Sequence, residues 1–414
     1  GCYGNTDIPT PHVDSLAANG IRFTAGYVSA PVCSPTRAGL LTGRYQQRFG
    51  HEFNVGRVIP PTRHFGLPVD QVTLADRLRA AGYATGLFGK WHLGNKDRAQ
   101  HPLSRGFDEF FGFLAGGHSY LGATADGDAD NPILDGFEPV TDIGYTTDAF
   151  AARAVSFIER HRDQPFFVYL SFNAVHLPLE ATQPYLDRFP GIQNEPRRTF
   201  AAMLSALDDG VGVVVEKLRD LGIEDDTLIF YLSDNGGPTP KTTSSNAPFR
   251  GFKRDVLEGG IRVPFIVQWK SGLPAGHVDS RPVISLDIHT TALAAAGISS
   301  AAGEPPLDGV DLLPFLRGER EGQPHQALFW RYGAQTAIRQ GDWKLCRGRD
   351  GRRCLYDLAS DPEEARDLSE QAPEKVRELQ RVYDGWNAEL IPSLWEDRHA
   401  DRRSEARATA QERP

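Results

Sequence analysis

Apolar residues change their spacing several times along the chain, and each change marks an element. Over residues 73–82, Leu74, Leu78 and Ala81 recur at helical intervals, Thr73 offers an N-cap hydroxyl and Gly82 supplies a stop. A short apolar run at 83–88 follows at once. The same order, helix then buried run, recurs at 148–160 with 166–172 and at 199–221 with 227–232, and a further apolar run spans 263–269. Such alternation predicts an α/β fold, a mostly parallel sheet sandwiched by helices. Beyond Leu316 the pattern shortens. Residues 319–324 read as a linker, and short strands at 327–332, 336–339, 343–347 and 352–358 have hairpin spacing, which predicts an antiparallel sheet. Pro373 then opens a helix whose Val376, Leu379, Tyr383 and Trp386 form one apolar stripe able to pack on that sheet. The expected organisation is a large domain over 1–318, a smaller antiparallel α+β unit over 319–395, and a charged, alanine-rich tail over 396–414 with too little apolar surface to fold. No internal repeat is present.

The polar residues are placed unevenly against this frame. Lys90 and His92 follow the first apolar run, His176 follows the second, and Asp234 with Asn235 follows the third. In open parallel sheets the ligand crevice lies at the carboxyl ends of the strands, so these segments are expected to converge there. One polar residue after a strand is ordinarily a turn or cap. Three such coincidences involving Lys, His and Asp point to a site. Cys33 adds a thiol at the start of a helix in Pro31-Val32-Cys33-Ser34-Pro35-Thr36-Arg37, where backbone N–H groups favour an anion and Arg37, one turn on, presents a planar fork to it. His12, after Thr10-Pro11 at another helix start, reads as structural.

Composition narrows the function. A formal net charge of −9, without a long Lys/Arg run, excludes phosphate-neutralising nucleic-acid binding. No apolar run approaches the roughly 20 residues that cross a bilayer, and no signal peptide is visible. The chain opens at Gly1 and its only methionine is Met203, so the natural start is expected upstream. The cysteines at 2, 33, 346 and 354 form no C-x-x-C pair, which argues against structural zinc. Cys346 and Cys354 lie directly opposite if their hairpin has a three-residue loop centred on Asp350, and one register apart if the turn is Asp350-Gly351. A disulfide and two free thiols both stay open.

Cys33-Ser34-Pro35-Thr36-Arg37 resembles the C-x-P-x-R signature of the formylglycine-dependent sulfatases, which have the alkaline-phosphatase-like fold, and Ala38 to Arg44 continue it. The resemblance extends to Gly89-Lys90-Trp91-His92-Leu93-Gly94, Phe172-Asn173-Ala174-Val175-His176, Ser233-Asp234-Asn235-Gly236-Gly237, Arg250 to Lys253 and Glu258 to Pro264, and covers nearly the whole chain. Leu355-Tyr356-Asp357-Leu358 is similar to the family's C-terminal part. The resemblance implies a sulfuric ester hydrolase in which a separate formylglycine-generating enzyme converts Cys33 to an aldehyde whose hydrate attacks sulfur. It assigns Arg37 and Lys90 to stabilising that hydrate, His92 to removing its second hydroxyl proton, and His176 and Lys253 to binding sulfate and protonating the leaving alcohol. Asp234 and Asn235 would ligate calcium, a cation that prefers such oxygens. His118 and Ser119 would touch the sulfate or a sugar. A periplasmic or secreted location is implied in the same way.

One departure matters. The family begins with a buried strand ending in paired aspartates that complete the calcium site, and Gly1-Cys2-Tyr3-Gly4-Asn5 matches the stretch just downstream of it. The chain is therefore expected to be an N-terminally truncated form, with a strand missing from the sheet and weak metal affinity. Two other readings are a phosphomonoester or phosphonate hydrolase on the same fold and an inactive module binding sulfated glycans. Assays on both ester types and turnover of an aryl sulfate discriminate them. Substrate choice is expected to lie in variable loops such as the Asp- and Gly-rich residues 123–142, read as solvent-facing.

Overall fold

The computed structural model describes residues 1–56, 65–121, 131–299 and 303–396. The tail expected over 396–414 lies, apart from Glu396, outside these residues, as do residues 123–130 of the proposed substrate loop. The described remainder of that loop is not a loop. Ile133–Asp135 and Glu138–Val140 form a hairpin that pairs antiparallel with Glu109–Phe113, because Ile133 and Leu134 bury against the core.

The helix expected at 73–82 is Leu74–Ala80, closed by a reciprocal capping box between Thr73 and Asp76. It leads into the strand Ala84–Lys90, which pairs in parallel with both Glu109–Phe113 and Phe166–Ser171. The third expected helix starts earlier than its apolar pattern, at Glu195, because Asn194 caps the Arg197 N–H and Pro196 suits the first turn. The run at 263–269 becomes Phe265–Gln268, which is antiparallel to Ile229–Leu232 and to Ile21–Phe23. Strand direction is thus mixed on this side, an outcome that a period-free apolar run does not reveal.

These strands fall into two sheets. Phe166–Ser171 is the last strand of a five-stranded sheet and Ile229–Leu232 the last of a four-stranded one. Both are apolar yet only half-buried along most of their length. Phe167 and Tyr169 from one, and Phe230 and Leu232 from the other, pack against a single core cluster. Helix Glu195–Asp220 covers the opposite side of both, with Val214 beside Phe166, Val168 and Leu170, and Val211 beside Ile229 and Tyr231. The two edge strands therefore lie on either side of a gap under one helix.

The four-stranded antiparallel sheet Leu328–Tyr332, Gln335–Gln340, Trp343–Arg347 and Arg353–Asp357 forms near the C-terminus as its spacing predicts. Helix Pro373–Asn387 lays Leu379, Tyr383 and Trp386 on it. This sheet shares its core with the larger part, since Tyr27, Val28, Ile261 and Ile284 lie in one cluster with Trp330, Ile338 and Leu355. A fully buried ion network crosses the same boundary: Lys344 Nζ lies 2.8 Å from both Glu258 and Glu364. Removing Lys344 would leave Glu364 buried without its cation, whereas losing one glutamate leaves Lys344 paired with the other. His12 serves its helix structurally, with its N–H donating to Asp208 and its ring against Gly212.

Buried histidines make the fold acid-sensitive. Burial, helped by His92, holds His51 down at about 3, and burial with Arg77 does the same to His289. Each stays neutral in the folded state while the unfolded chain protonates near its ordinary value of 6.5. Stability is therefore lost as pH falls below that value, by about 2 kcal/mol per histidine at pH about 5. A thermal midpoint clearly lower at pH about 5 than at pH about 7 is the expected result. Equal midpoints would contradict the neutral assignment.

Candidate active site

Cys33 is the first residue of helix Cys33–Thr42, which is buried along its whole length and meets the loops that follow Ala84–Lys90 and Ile229–Leu232. Its thiol donates to Asn235 Oδ1 at 3.2 Å and accepts from Lys253 Nζ at 3.1 Å. One turn on, Arg37 directs Nε and Nη2 to Asp234 Oδ2, both at 2.9 Å, and Nη1 to the Lys90 carbonyl at 2.8 Å and to Ser171 Oγ. Arg37 thereby ties the end of strand Phe166–Ser171 to the loop after Ile229–Leu232, across the gap.

The remaining groups arrive on strained, well-held backbone. Lys90 ends its strand with only 2 % of its surface exposed. His92 follows at φ 62°, a left-handed conformation that costs a non-glycine residue about 1–3 kcal/mol and is held here by its N–H to Leu114 O and by Ser34 Oγ donating to its carbonyl. Arg254, beside Lys253, has φ 81° and is held by its N–H to Pro31 O and by Gln335 Nε2 on its carbonyl. Gly116 lies against the His92 ring and Gly117 against the His176 ring, where added Cβ atoms would stand 2.7 and 3.4 Å from ring atoms. That contact brings His118 and Ser119 to the same place. His118 Nδ1 bonds its neighbour's carbonyl, and the Ser119 hydroxyl donates to Glu180 at 2.7 Å.

Electrostatics follow from this crowding. Burial and Asp234 raise the Cys33 thiol, but Lys253, Lys90 and His176 outweigh them and bring it down to about 7. Burial also opposes ionisation of Asp234, yet Arg37, Lys90 and Lys253 hold its carboxyl well below the usual range. Lys90 is lowered by burial and by Arg37. His176 is lowered to about 4 by burial, Lys90 and Lys253, and His92 lies well below its ordinary value through burial, Lys90 and Arg37. Both rings are neutral at pH about 7. A carbonyl only accepts, so His176 carries its proton on Nδ1, donated to Leu177 O at 2.8 Å, and His92 on Nε2, donated to Val55 O at 3.1 Å. The lone pair of His92 lies on Nδ1, which is buried and has no hydrogen-bond partner among the described residues.

The sequence-predicted residues Cys33, Arg37, Lys90, Asp234, Asn235 and Lys253 are thus joined by direct hydrogen bonds or through Arg37, and His92 and His176 stand within reach of the same charges. Asp234 and Asn235 do not make a calcium site by themselves. Calcium takes roughly six to eight oxygens, and no group of three or more His, Cys, Asp or Glu suited to a metal exists among the described residues. Asp234 Oδ2 is also already occupied by Arg37. Sequence reasoning missed Ser171 and His51. Ser171 had the same signal as Lys90, a polar residue ending an apolar run. His51, whose Nε2 lies 2.6 Å from Ser34 Oγ and so braces the segment after Cys33, had none.

Fold and site together define a buried, cation-lined crevice suited to a tetrahedral oxyanion. Residues 1–298 match the sulfatase family model and residues 250–383 the model described as N-sulphoglucosamine sulphohydrolase, C-terminal; the chain belongs to the sulfatase family. It is 31 % identical to the steryl-sulfatase of Mus musculus over 92 % of this chain and 77 % of that protein. It is 34 % identical to the N-acetylgalactosamine-6-sulfatase of Sus scrofa, over 83 % and 68 % respectively. Among solved structures it is similar to Ps i-CgsB in complex with k-i-k-neocarrahexaose, with a TM-score of 0.89, 32 % identity, and coverage of 98 % of this chain and 93 % of that one.

Proposed function

We propose that this sulfatase removes sulfate from a sulfated carbohydrate using a formylglycine made from Cys33. The observation that carries the reading is the placement of Cys33 Sγ, buried at a helix N-terminus between Lys253 Nζ and Asn235 Oδ1. Converted, this side chain would supply a hydrated aldehyde as the oxygen nucleophile. The chain's own residues do the rest. Lys90, Lys253 and Arg37 supply positive charge where sulfate oxygens gain negative charge, the electrostatic contribution that usually dominates. His92 Nδ1 accepts a proton from the residue-33 side chain. His176, neutral with its proton committed to Leu177, offers a lone pair and not a proton in the free site, so Lys253 is assigned the proton donation to the leaving alcohol. His118 borders the sulfate position.

Carbohydrate is favoured as the substrate class because the neighbour Ps i-CgsB was solved with neocarrahexaose and the relative from Sus scrofa is named for N-acetylgalactosamine. The test pairs a peptide mass with an assay. After co-expression with a formylglycine-generating enzyme, the peptide containing Cys33 should carry the aldehyde mass, and sulfate release from sulfated oligosaccharides should exceed phosphate release from matched phosphate esters. An unmodified thiol in fully active protein would overturn the nucleophile, and a phosphate preference the reaction class.

Calcium enters this reading conditionally. We infer that Asp234 and Asn235 would supply two of the oxygens that hold a calcium ion when one is bound. Asp234→Ala is expected to weaken calcium binding measured by calorimetry, and an unchanged affinity would remove Asp234 from that role.

A further inference from the structure

We infer that Cys346 and Cys354 are a disulfide-forming pair, a modification site that closes the hairpin gripping the Lys253 loop. They are the directly opposed residues of strands Trp343–Arg347 and Arg353–Asp357, as a three-residue loop requires. The ladder parity fixes their spacing. Gly348 N–H donates to Arg352 O and Leu358 N–H to Asp342 O, which puts 348/352 and 342/358 in hydrogen-bonded positions and, alternating by two, 346/354 as well. Residues so placed have Cα atoms about 5.5 Å apart, within the disulfide range, and Cβ atoms that start wider than a disulfide's, so closing the bond draws the two strands together locally. Both side chains lie on the face that carries Lys344 and Tyr356.

Access differs between the two thiols. Cys346 is buried and Cys354 half-exposed, and both are free. A small disulfide oxidant such as oxidised glutathione reaches Cys354 first. The Cys354 thiolate attacks one sulfur of the oxidant, releasing one glutathione thiolate and leaving a mixed disulfide. The Cys346 thiolate then attacks the Cys354 sulfur and expels the second glutathione. Two protein thiols are oxidised, one glutathione disulfide is reduced, and two protons are released. Burial pushes Cys346 up to about 12 and also raises Cys354, helped there by Asp367, so exchange is slow near neutrality and faster in alkali.

The bond would lie at the base of a functional contact. At the hairpin turn, Arg349 pairs with Asp255 at 2.5 Å, donates to the Lys253 carbonyl at 3.2 Å and covers the Phe252 ring. Fixing the two strands behind this turn restrains the loop that carries Lys253 to Cys33.

Trypsin cuts after Arg347, Arg349, Arg352 and Arg353, so it separates the two cysteines unless sulfur joins them. Folded protein is incubated with oxidised glutathione at pH about 8.5, alkylated and digested. Peptide 345–347 should stay joined to peptide 354–366 until a reductant is added. Recovery of two separate peptides, alkylated or glutathionylated, overturns the proposal. In Cys346→Ser the glutathione adduct should persist on Cys354, and an unmodified Cys354 there refutes the entry route. Oxidation should raise the thermal midpoint of the wild type and not that of Cys346→Ser; an unchanged wild-type midpoint refutes the restraint.

Discussion

Cys33→Ala will lower kcat by about 10⁴-fold or more while the protein stays folded. The loss is that large because removing the nucleophile of a covalent mechanism disables the groups that act with it. Folding survives because the deleted sulfur makes only two hydrogen bonds, to Asn235 and Lys253, and leaves helix Cys33–Thr42 intact. Sulfate release from an aryl sulfate, alongside a near-UV circular dichroism spectrum, checks both halves. Activity within tenfold of the unmutated enzyme would transfer the nucleophile's role elsewhere.

Arg37→Met is expected to cost both activity and stability. It removes two hydrogen bonds to Asp234 and those to Lys90 O and Ser171 Oγ, leaving the carboxylate without its direct partner and with only the charges of Lys90 and Lys253 nearby. Because Asp234 retains about a quarter of its side-chain exposure, the destabilisation should be about 2–3 kcal/mol, less than for a fully buried pair. Loss of positive charge aimed at the reacting centre should lower kcat/KM by about 10³-fold. Adding Asp234→Asn should restore part of the stability, measured by urea unfolding, and none of the turnover. If the double variant recovers activity, Arg37 is a structural tie and not a catalytic residue.

The large elements were legible because burial writes itself into long apolar runs: 83–88, 166–172 and 227–232 each became a strand carrying a site residue just beyond its end. Ile21–Phe23, an inner strand of the second sheet, left no comparable trace, since three residues are too few to set a period. Strand direction was likewise invisible for Phe265–Gln268, whose antiparallel pairing depends on the path of the chain before it. Within the site, Cys33, Arg37 and Lys253 were readable through motif spacing, whereas the tautomers of His92 and His176 depend on which carbonyls, Val55 and Leu177, stand beside them. His51 reaches the site through Ser34, a contact that only the folded chain creates.

The burial of Cys33 sets when its sulfur is accessible. The groups that seal its sulfur, Asn235 and Lys253, follow it by 202 and 220 residues. At translation rates of about 5–20 residues per second, the thiol emerges roughly 10–40 s before its cover has been synthesised. If residue 33 is converted as proposed, by an enzyme that needs an extended substrate, that enzyme must act inside that interval. Under that proposal, slowing elongation between residues 33 and 253 should raise the fraction of converted chains, and accelerating folding should leave more of them as inert thiol.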